Sequence, residues 1–463
     1  MKQLPVLLAV LYAALSPADA GAADRPPNIV FIMADDLGLG EVGCYGGKEI
    51  PTPNIDRLAA EGMTFTNAYS ASAVCAPTRC GLMTGLHMGH ATRRANGSRN
   101  GEIPLAPQEV TVAELLKGAG YVTGGFGKWG LGNVGTTGVP EKQGFDIFHG
   151  YYDQTHAHNY FPTFLVRNSV SVPMPEGNRG RGRPGSPGNQ GKGDVYSPDL
   201  ITDETLTFIE ANKDRPFFCY AAWTLPHGQY EIPDASAFAN RSWPQPVKNH
   251  AAMIARLDAD VGRVVEKLQQ LGLAEKTLVI FTSDNGAEGP GRMVWGGTAG
   301  LRGFKRHLYE GGIRAPFIAR WPNRIVAGRE SDLLTSHVDF LATACELAGV
   351  AAPAGTDSIS IVPTLLSEEQ SARHDWLYWE IYEGPAPFQQ AVRMDHWKGY
   401  RTALAGPLEL YNLRSDPKEE SNVAADHPDV VAQIEGVMSR AHVRNPNWKP
   451  TNKPADEKNR QAG

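Results

Sequence analysis

The chain alternates β-rich apolar runs with amphipathic helical segments, and four of the runs end in ionisable or amide side chains. "NIVFIMADD" (28–36) stops at Asp35 and Asp36, and "TLVIFTSDNG" (277–286) stops at Asp284 and Asn285. "YVTGGFGKWG" (121–130) delivers Lys128, and "RPFFCYAAWTLPHG" (215–228) delivers His227. Such alternation predicts strands laid parallel with helices on both faces, and open α/β sheets take ligands at the C-terminal ends of their strands. The expected fold class is therefore α/β, a large mixed, mainly parallel sheet sandwiched by helices.

The helices are legible from periodicity. From Val247 to Leu271, apolar residues at Met253, Ile254, Leu257, Val261, Val264, Val265 and Leu268 keep the 3.6 period. Ser197-Pro198-Asp199 reads as an N-cap with proline at the first helical position. Past Val350 the character changes: "DWLYWEIYEG", "QQAVRMDHWKGYR" and "LELYNLRSD" predict an antiparallel meander, and a helix is expected from Pro428 to about His442. At 463 residues the chain exceeds what one core usually holds. The expected organisation is a signal peptide over 1–20, a catalytic domain over 21–350, a smaller C-terminal antiparallel-sheet plus helix subdomain over 351–445, and a loose tail over 446–463.

Lys2, the apolar stretch Leu4 to Leu15 and the Ala18-Asp19-Ala20 triplet read as a secretory signal with an A-x-A cleavage site. That predicts a periplasmic or secreted protein with no membrane span in the mature chain. Five cysteines, an odd number, leave at least one unpaired, and no Cys-x-x-Cys pair suggests a soft-metal site. A formal charge of -6 gives no general electrostatic reason to bind nucleic acid or an anionic membrane. The Gly, Arg and Pro-rich segment 176–194 reads as a solvated insertion, with contact to a polyanionic substrate as the sharper alternative.

Adjacent residues on a strand face opposite ways, so Asp35 and Asp36 share a ligand only where the backbone turns past the strand. Together with Asp284 and Asn285 they supply hard oxygen donors, which suit Ca²⁺ or Mg²⁺. In "SAVCAPTRCGLMTG" (72–85), Pro77 suits a first helical turn, so backbone N–H groups around Cys75 favour an anion there. Arg79, Lys128, Lys305 and His227 complete a cationic cup for a small oxyanion. The chemistry this predicts is the handling of an anionic ester.

"CAPTRCGLMTG" resembles the Cys-x-Pro-Ser/Thr-Arg signature of the formylglycine-dependent, type I sulfatases of the alkaline phosphatase superfamily. The likeness spans roughly residues 27–440, with "MADDLG", "GYVTGGFGKWG", "TLPHG", "FTSDNG" and "LRGFKRHLYEGGIRAPFIARWP" in the family's order; it is similar to bacterial arylsulfatase-like carbohydrate sulfatases. The resemblance implies an alkaline phosphatase-like fold. It also implies oxidation of Cys75 to 3-oxoalanine (formylglycine), whose hydrate attacks sulfur through one hydroxyl and expels sulfate through the other. It implies Ca²⁺, with Mg²⁺ as the alternative, held by Asp35, Asp36, Asp284, Asn285 and the oxygen at 75. Arg79, Lys128 and Lys305 would hold the formylglycine and the sulfate, and His227, together with Lys305, would protonate the leaving alcohol.

The implied partners are a sulfated saccharide and a formylglycine-generating or anaerobic sulfatase-maturating enzyme. One departure stands out: many relatives read Gly-Lys-x-His where this chain has Gly127-Lys128-Trp129-Gly130. His158 is the expected substitute base or substrate contact, with His156 second, the two sharing a face if extended. By position in the meander, Trp379, Glu380, Gln389, Arg393 and His396 are candidate sugar contacts. The alternatives are phosphonate monoester or phosphodiester hydrolysis on the same scaffold, and a non-catalytic sulfoglycan-binding protein if Cys75 stays a thiol.

Overall fold

The computed structural model describes residues 25–97, 101–180 and 193–450. The expected signal segment 1–20, most of the basic insertion (181–192) and the end of the tail (451–463) lie outside the described residues.

In chain order the strands are β1 (Asn28–Ala34), β2 (Met63–Phe65), β3 (Ala68–Tyr69), β4 (Val122–Lys128), β5 (Ile147–Tyr151), β6 (Phe164–Arg167), β7 (Val170–Pro173), β8 (Phe217–Ala222), β9 (Thr277–Ser283), β10 (Phe317–Arg320), β11 (Arg329–Ser331), β12 (Thr335–Ser336), β13 (Leu377–Ile381), β14 (Gln389–Met394), β15 (Trp397–Arg401) and β16 (Glu409–Asn412). Ten of them form one sheet in the order β11-β2-β10-β9-β1-β8-β4-β5-β6-β7. Its centre, β9-β1-β8-β4-β5, is parallel throughout, and antiparallel strands flank it. The mixed, mainly parallel sheet expected from the sequence is thus the sheet observed.

Every residue of β1 is buried. Its period-2 alternation divides the core: Ile29, Phe31 and Met33 enter one cluster, Val30, Ile32 and Ala34 the other. The first cluster takes Cys80, Leu82 and Met83 of a helix over Cys75–Thr84, and Phe340 and Leu341 of the helix Asp339–Leu347. The second takes Leu257, Val261, Val264, Val265 and Leu268 of the helix Gln245–Gln270, the periodic residues read from sequence. Ser197 departs from its expected capping role. It is the first residue of the helix Ser197–Ala211 after an extended Tyr196, and its buried hydroxyl bonds Tyr151 and the Tyr160 carbonyl instead.

The second sheet is an antiparallel meander, β13-β14-β15-β16. One face packs Val392 and Leu410 against Ile434, Val437 and Met438 of the helix Pro428–Ala441. The other packs Trp379, Ile381 and Tyr400 against Tyr69, Ala73 and Val74, the segment leading into Cys75. Residues 446–450 of the expected loose tail are anchored, because Trp448 is buried and its indole N–H donates to the Thr92 carbonyl at 2.7 Å. All five cysteines are free thiols.

Candidate active site

The C-terminal ends of β1, β4, β8 and β9 converge beside Cys75, the first residue of its helix. Val74 ahead of it is extended (φ -150°), so the chain turns sharply at the cysteine. The thiol is wholly buried, with Sγ 3.3 Å from Asp35 Oδ1, and burial first, then Asp284 and Asp35, pushes its pKa far up. A thiolate is disfavoured here. Arg79, one turn on, donates from Nη1 to the Lys128 carbonyl at 2.8 Å and from Nη2 to Asp284 Oδ2 at 2.9 Å.

Asp36 has φ +72°, a left-handed conformation uncommon outside glycine. This turn lets two neighbouring carboxylates meet one site. Lys128 Nζ lies 2.7 Å from Asp35 Oδ2, and Lys305 Nζ 2.7 Å from Asp36 Oδ1. Burial alone would raise the Asp35 carboxyl, but the charges of Lys128 and Arg79 hold it well below the usual range. Asp284 goes the other way, pushed up to about 7 by burial and by Asp35.

Three carboxylates (Asp35, Asp36, Asp284) and three cations (Arg79, Lys128, Lys305) balance. A divalent cation added to this set would leave charge to meet an anionic ester. The donors fit one: Asp35, Asp36, Cys75 and His227 each offer an atom within 4.8 Å of the others. Asn285 donates through Nδ2 to Asp36 Oδ1 at 2.8 Å, yet its buried Oδ1 has no partner among the described residues. Hard oxygens with an orphaned carbonyl suit a hard divalent ion.

His227 Nδ1 lies 2.7 Å from the Gly228 carbonyl, which keeps a proton on Nδ1. Its Nε2 faces Lys305 Nζ at 3.1 Å and Asp36 Oδ2 at 3.4 Å. Burial and Lys305 lower its pKa to about 4, so it rests neutral, accepting through Nε2.

The other sequence candidates divide. His158 stacks on His227, ring centroids 4.1 Å apart and planes at 16°, and burial lowers its pKa. His156 does not share that face. The segment is a 3-10 turn, His156–His158, and the His156 ring packs against Tyr151 and Phe164. Gly130 has φ +74°, and a Cβ there would sit 2.7 Å from Gln154 Oε1. The buried Gln154 thus fills the space a side chain at 130 would use.

The meander candidates are not arranged as sugar contacts. Trp379 is buried, its N–H bonded to the Ser70 carbonyl at 2.8 Å. Glu380 is buried among Arg94, Tyr378 and His442, all hydrogen-bonded to it. Arg393 donates to the Tyr69 hydroxyl at 2.7 Å, while Gln389 donates to the Arg306 carbonyl at 2.8 Å. His396 pairs with its neighbour Asp395 at 2.6 Å. Strand alternation turns Trp379, Gln389 and Arg393 toward the segments that seat the meander and Glu380 to the opposite face, and each is already hydrogen-bonded there. Two residues that sequence reasoning missed stand nearer Cys75: Asn96 Oδ1 accepts the Ala76 N–H at 2.9 Å, and Glu383 Oε2 accepts the Asn96 N–H at 2.7 Å.

The Sulfatase family profile matches residues 27–350, and a profile described as N-sulphoglucosamine sulphohydrolase, C-terminal, matches residues 301–443. The chain is 36% identical to arylsulfatase A of Homo sapiens, covering 89% of this chain and 87% of that protein. It is 30% identical to N-acetylgalactosamine-6-O-sulfatase of Bacteroides thetaiotaomicron, covering 92% and 95%. The crystal structure of Ps i-CgsB superposes with a TM-score of 0.79 at 28% identity, covering 92% of this chain and 95% of that one. A complex of Ps i-CgsB with k-i-k-neocarrahexaose has also been solved.

Proposed function

The chain belongs to the sulfatase family and is a sulfuric ester hydrolase, and from that premise we propose that it removes O-sulfate from a carbohydrate, with residue 75 as the nucleophile. The observation that carries this reading is Cys75 at a buried helix start, ringed by three carboxylates and three cations. The saccharide class is supported by the names of the relatives, an N-acetylgalactosamine-6-O-sulfatase among them, and by the oligosaccharide in the Ps i-CgsB complex. Nothing in these relatives favours the phosphorus-ester alternative.

Ca²⁺, with Mg²⁺ as the alternative, would be held by Asp35, Asp36, Asp284, Asn285 and the oxygen at 75, supplying a Lewis acid for a sulfate oxygen. Formylglycine at 75, when hydrated, supplies a nucleophilic hydroxyl and a second one that resets the residue. The chain's own side chains do the rest. Arg79, braced by Asp284 and the Lys128 carbonyl, fixes the first turn of the helix and adds a positive fork beside position 75. Lys128 and Lys305, both buried, offset the developing negative charge where water cannot screen it. Lys305 Nζ donates to His227 Nε2 across 3.1 Å, so the ammonium holds the proton and the imidazole is placed to receive it. With Nδ1–H committed to Gly228, the proton passed to the leaving alcohol comes from Nε2 or from Nζ. His158, stacked on His227, is the candidate second base or substrate contact.

Among the described residues no helix is long and apolar enough to cross a membrane. With the N-terminal signal this supports a periplasmic or secreted location, and the oxidation of Cys75 requires a maturating enzyme as partner. The test is mass spectrometry of the Cys75 peptide after native expression, joined to sulfate release from defined sulfated saccharides. Thiol-to-aldehyde conversion with sulfate release is expected. A converted enzyme that spares every saccharide sulfate but cleaves aryl sulfates would refute the substrate class, and an active enzyme with an unmodified thiol would refute the nucleophile.

A further inference from the structure

The loop between β13 and β14 belongs to the meander, yet one of its side chains holds Asn96, which in turn bonds the helix that bears Cys75. Glu383 grips Asn96 at two points: Oε2 accepts the backbone N–H at 2.7 Å, and Oε1 accepts from Nδ2 at 3.4 Å. Asn96 in turn points its Oδ1 at the Ala76 N–H, 2.9 Å away. Ala76 follows Cys75 directly. The first N–H groups of any helix lack intrahelical acceptors, and here the acceptor for one of them arrives from another segment. The carboxylate decides which way the Asn96 amide faces. Because Glu383 only accepts, Nδ2 must turn toward it and Oδ1 toward Ala76.

A second strand of contacts ties the same loop to the other side of the nucleophile. Glu383 Oε1 lies 3.9 Å from Arg306 Nε, and the Arg306 N–H donates to the Ala73 carbonyl at 2.8 Å. Gln389 Nε2 bridges the carbonyls of Arg306 and Glu383 at 2.8 and 3.0 Å. Arg306 has φ +76°, a conformation that needs such bracing in a non-glycine residue, and it follows Lys305 of the cationic cup.

From this geometry we infer that Glu383 is a positioning residue: through Asn96 it orients the helix start at Cys75–Ala76, so that the meander sets the aim of the nucleophile. The inference rests on the reading of residue 75 as the nucleophile. It assigns the C-terminal sheet a share in turnover beyond covering the catalytic sheet.

The test uses the full-length, matured enzyme and a donor–acceptor swap. E383Q places an amide N–H against Asn96 Nδ2–H, a donor facing a donor, and N96D alone sets two carboxylates together. The double variant E383Q/N96D restores the pattern: the amide introduced at position 383 donates to one oxygen of the carboxylate introduced at position 96, and the other oxygen accepts from the Ala76 N–H. With conversion at 75 verified by mass spectrometry, E383Q is expected to lose about tenfold or more in kcat while KM stays within about twofold. Amide hydrogen exchange in the peptide over 72–82 should quicken in E383Q, and the double variant should recover both kcat and protection. Wild-type kcat in E383Q overturns the inference, as does a double variant no better than the single ones. The exchange readout needs no turnover, so a wild-type enzyme that releases no sulfate counts against the proposed function and leaves the relay judged by exchange alone.

Discussion

Replacing Lys128 by Met probes the charge balance of the site most directly. The ammonium lies 2.7 Å from Asp35 Oδ2, and both side chains are at most 1% exposed. Arg79 Nη2 is the next cation to Asp35, at 3.6 Å, and is engaged with Asp284 at 2.9 Å. Removing one partner of a buried pair costs about 3–5 kcal/mol, because the remaining charge is stranded. In EGTA the variant should lose roughly that much unfolding free energy. Saturating Ca²⁺ brings a cation to Asp35 and should return about half or more of the loss; a ligand at 100 times its Kd contributes about 2.7 kcal/mol. Urea unfolding followed by tryptophan fluorescence, with EGTA and with Ca²⁺, measures both. Turnover should fall by about 10²–10³ even with Ca²⁺ present, since a preorganised donor to the sulfate is lost. Equal destabilisation in EGTA and Ca²⁺ would show that the cation does not reach Asp35. A kcat within about threefold of wild type would remove Lys128 from the sulfate site.

Other expectations follow from single contacts. Burial pushes the Glu41 carboxyl from 4.5 up to about 8, so the folded protein holds an extra proton between those values. Unfolding free energy should therefore fall by a few kcal/mol as pH rises from 5 to 8, and E41Q should flatten that slope in urea titrations. Phe340 packs its ring 4.4 Å from Phe31 under the central strand, and F340A should cost about 3–5 kcal/mol with kcat of the folded enzyme little changed. H158A removes the ring stacked on His227 and should lower kcat by about 10–100-fold; unchanged turnover would return His158 to the role of a loop residue.

Much of the fold is readable one segment at a time. The alternation in β1, the 3.6 period over Gln245–Gln270 and the turn residues of the meander are local patterns, and local patterns decide which segments are strands and which helices. The chemistry at the strand ends is equally local. Asp35, Asp36, Lys128, His227, Asp284 and Asn285 each close an apolar run, and a parallel sheet brings such ends to one edge by construction. The family likeness adds roles to positions that composition and spacing had already singled out.

What misled sequence reasoning was side-chain direction. Trp379, Glu380 and Arg393 have the chemistry of sugar contacts, but the pleat and the packing of the meander turn them toward Ser70, Arg94 and Tyr69. His156 and His158 differ because a 3-10 turn, not an extended segment, carries them. Asn96 and Glu383 left no signal, being 287 residues apart and ordinary in composition.

By itself, then, the amino-acid sequence determined the sheet, the helices and the identity of the groups gathered at the strand ends, because propensity, periodicity and residue chemistry act over a few neighbours. Only the tertiary structure decided how those groups pair, that Gln154 fills the space beside Gly130, and that a loop of the second sheet reaches the helix start at Cys75. Such contacts join residues tens to hundreds of positions apart, and a hydrogen bond depends on distance and direction in the folded chain, which no local pattern encodes.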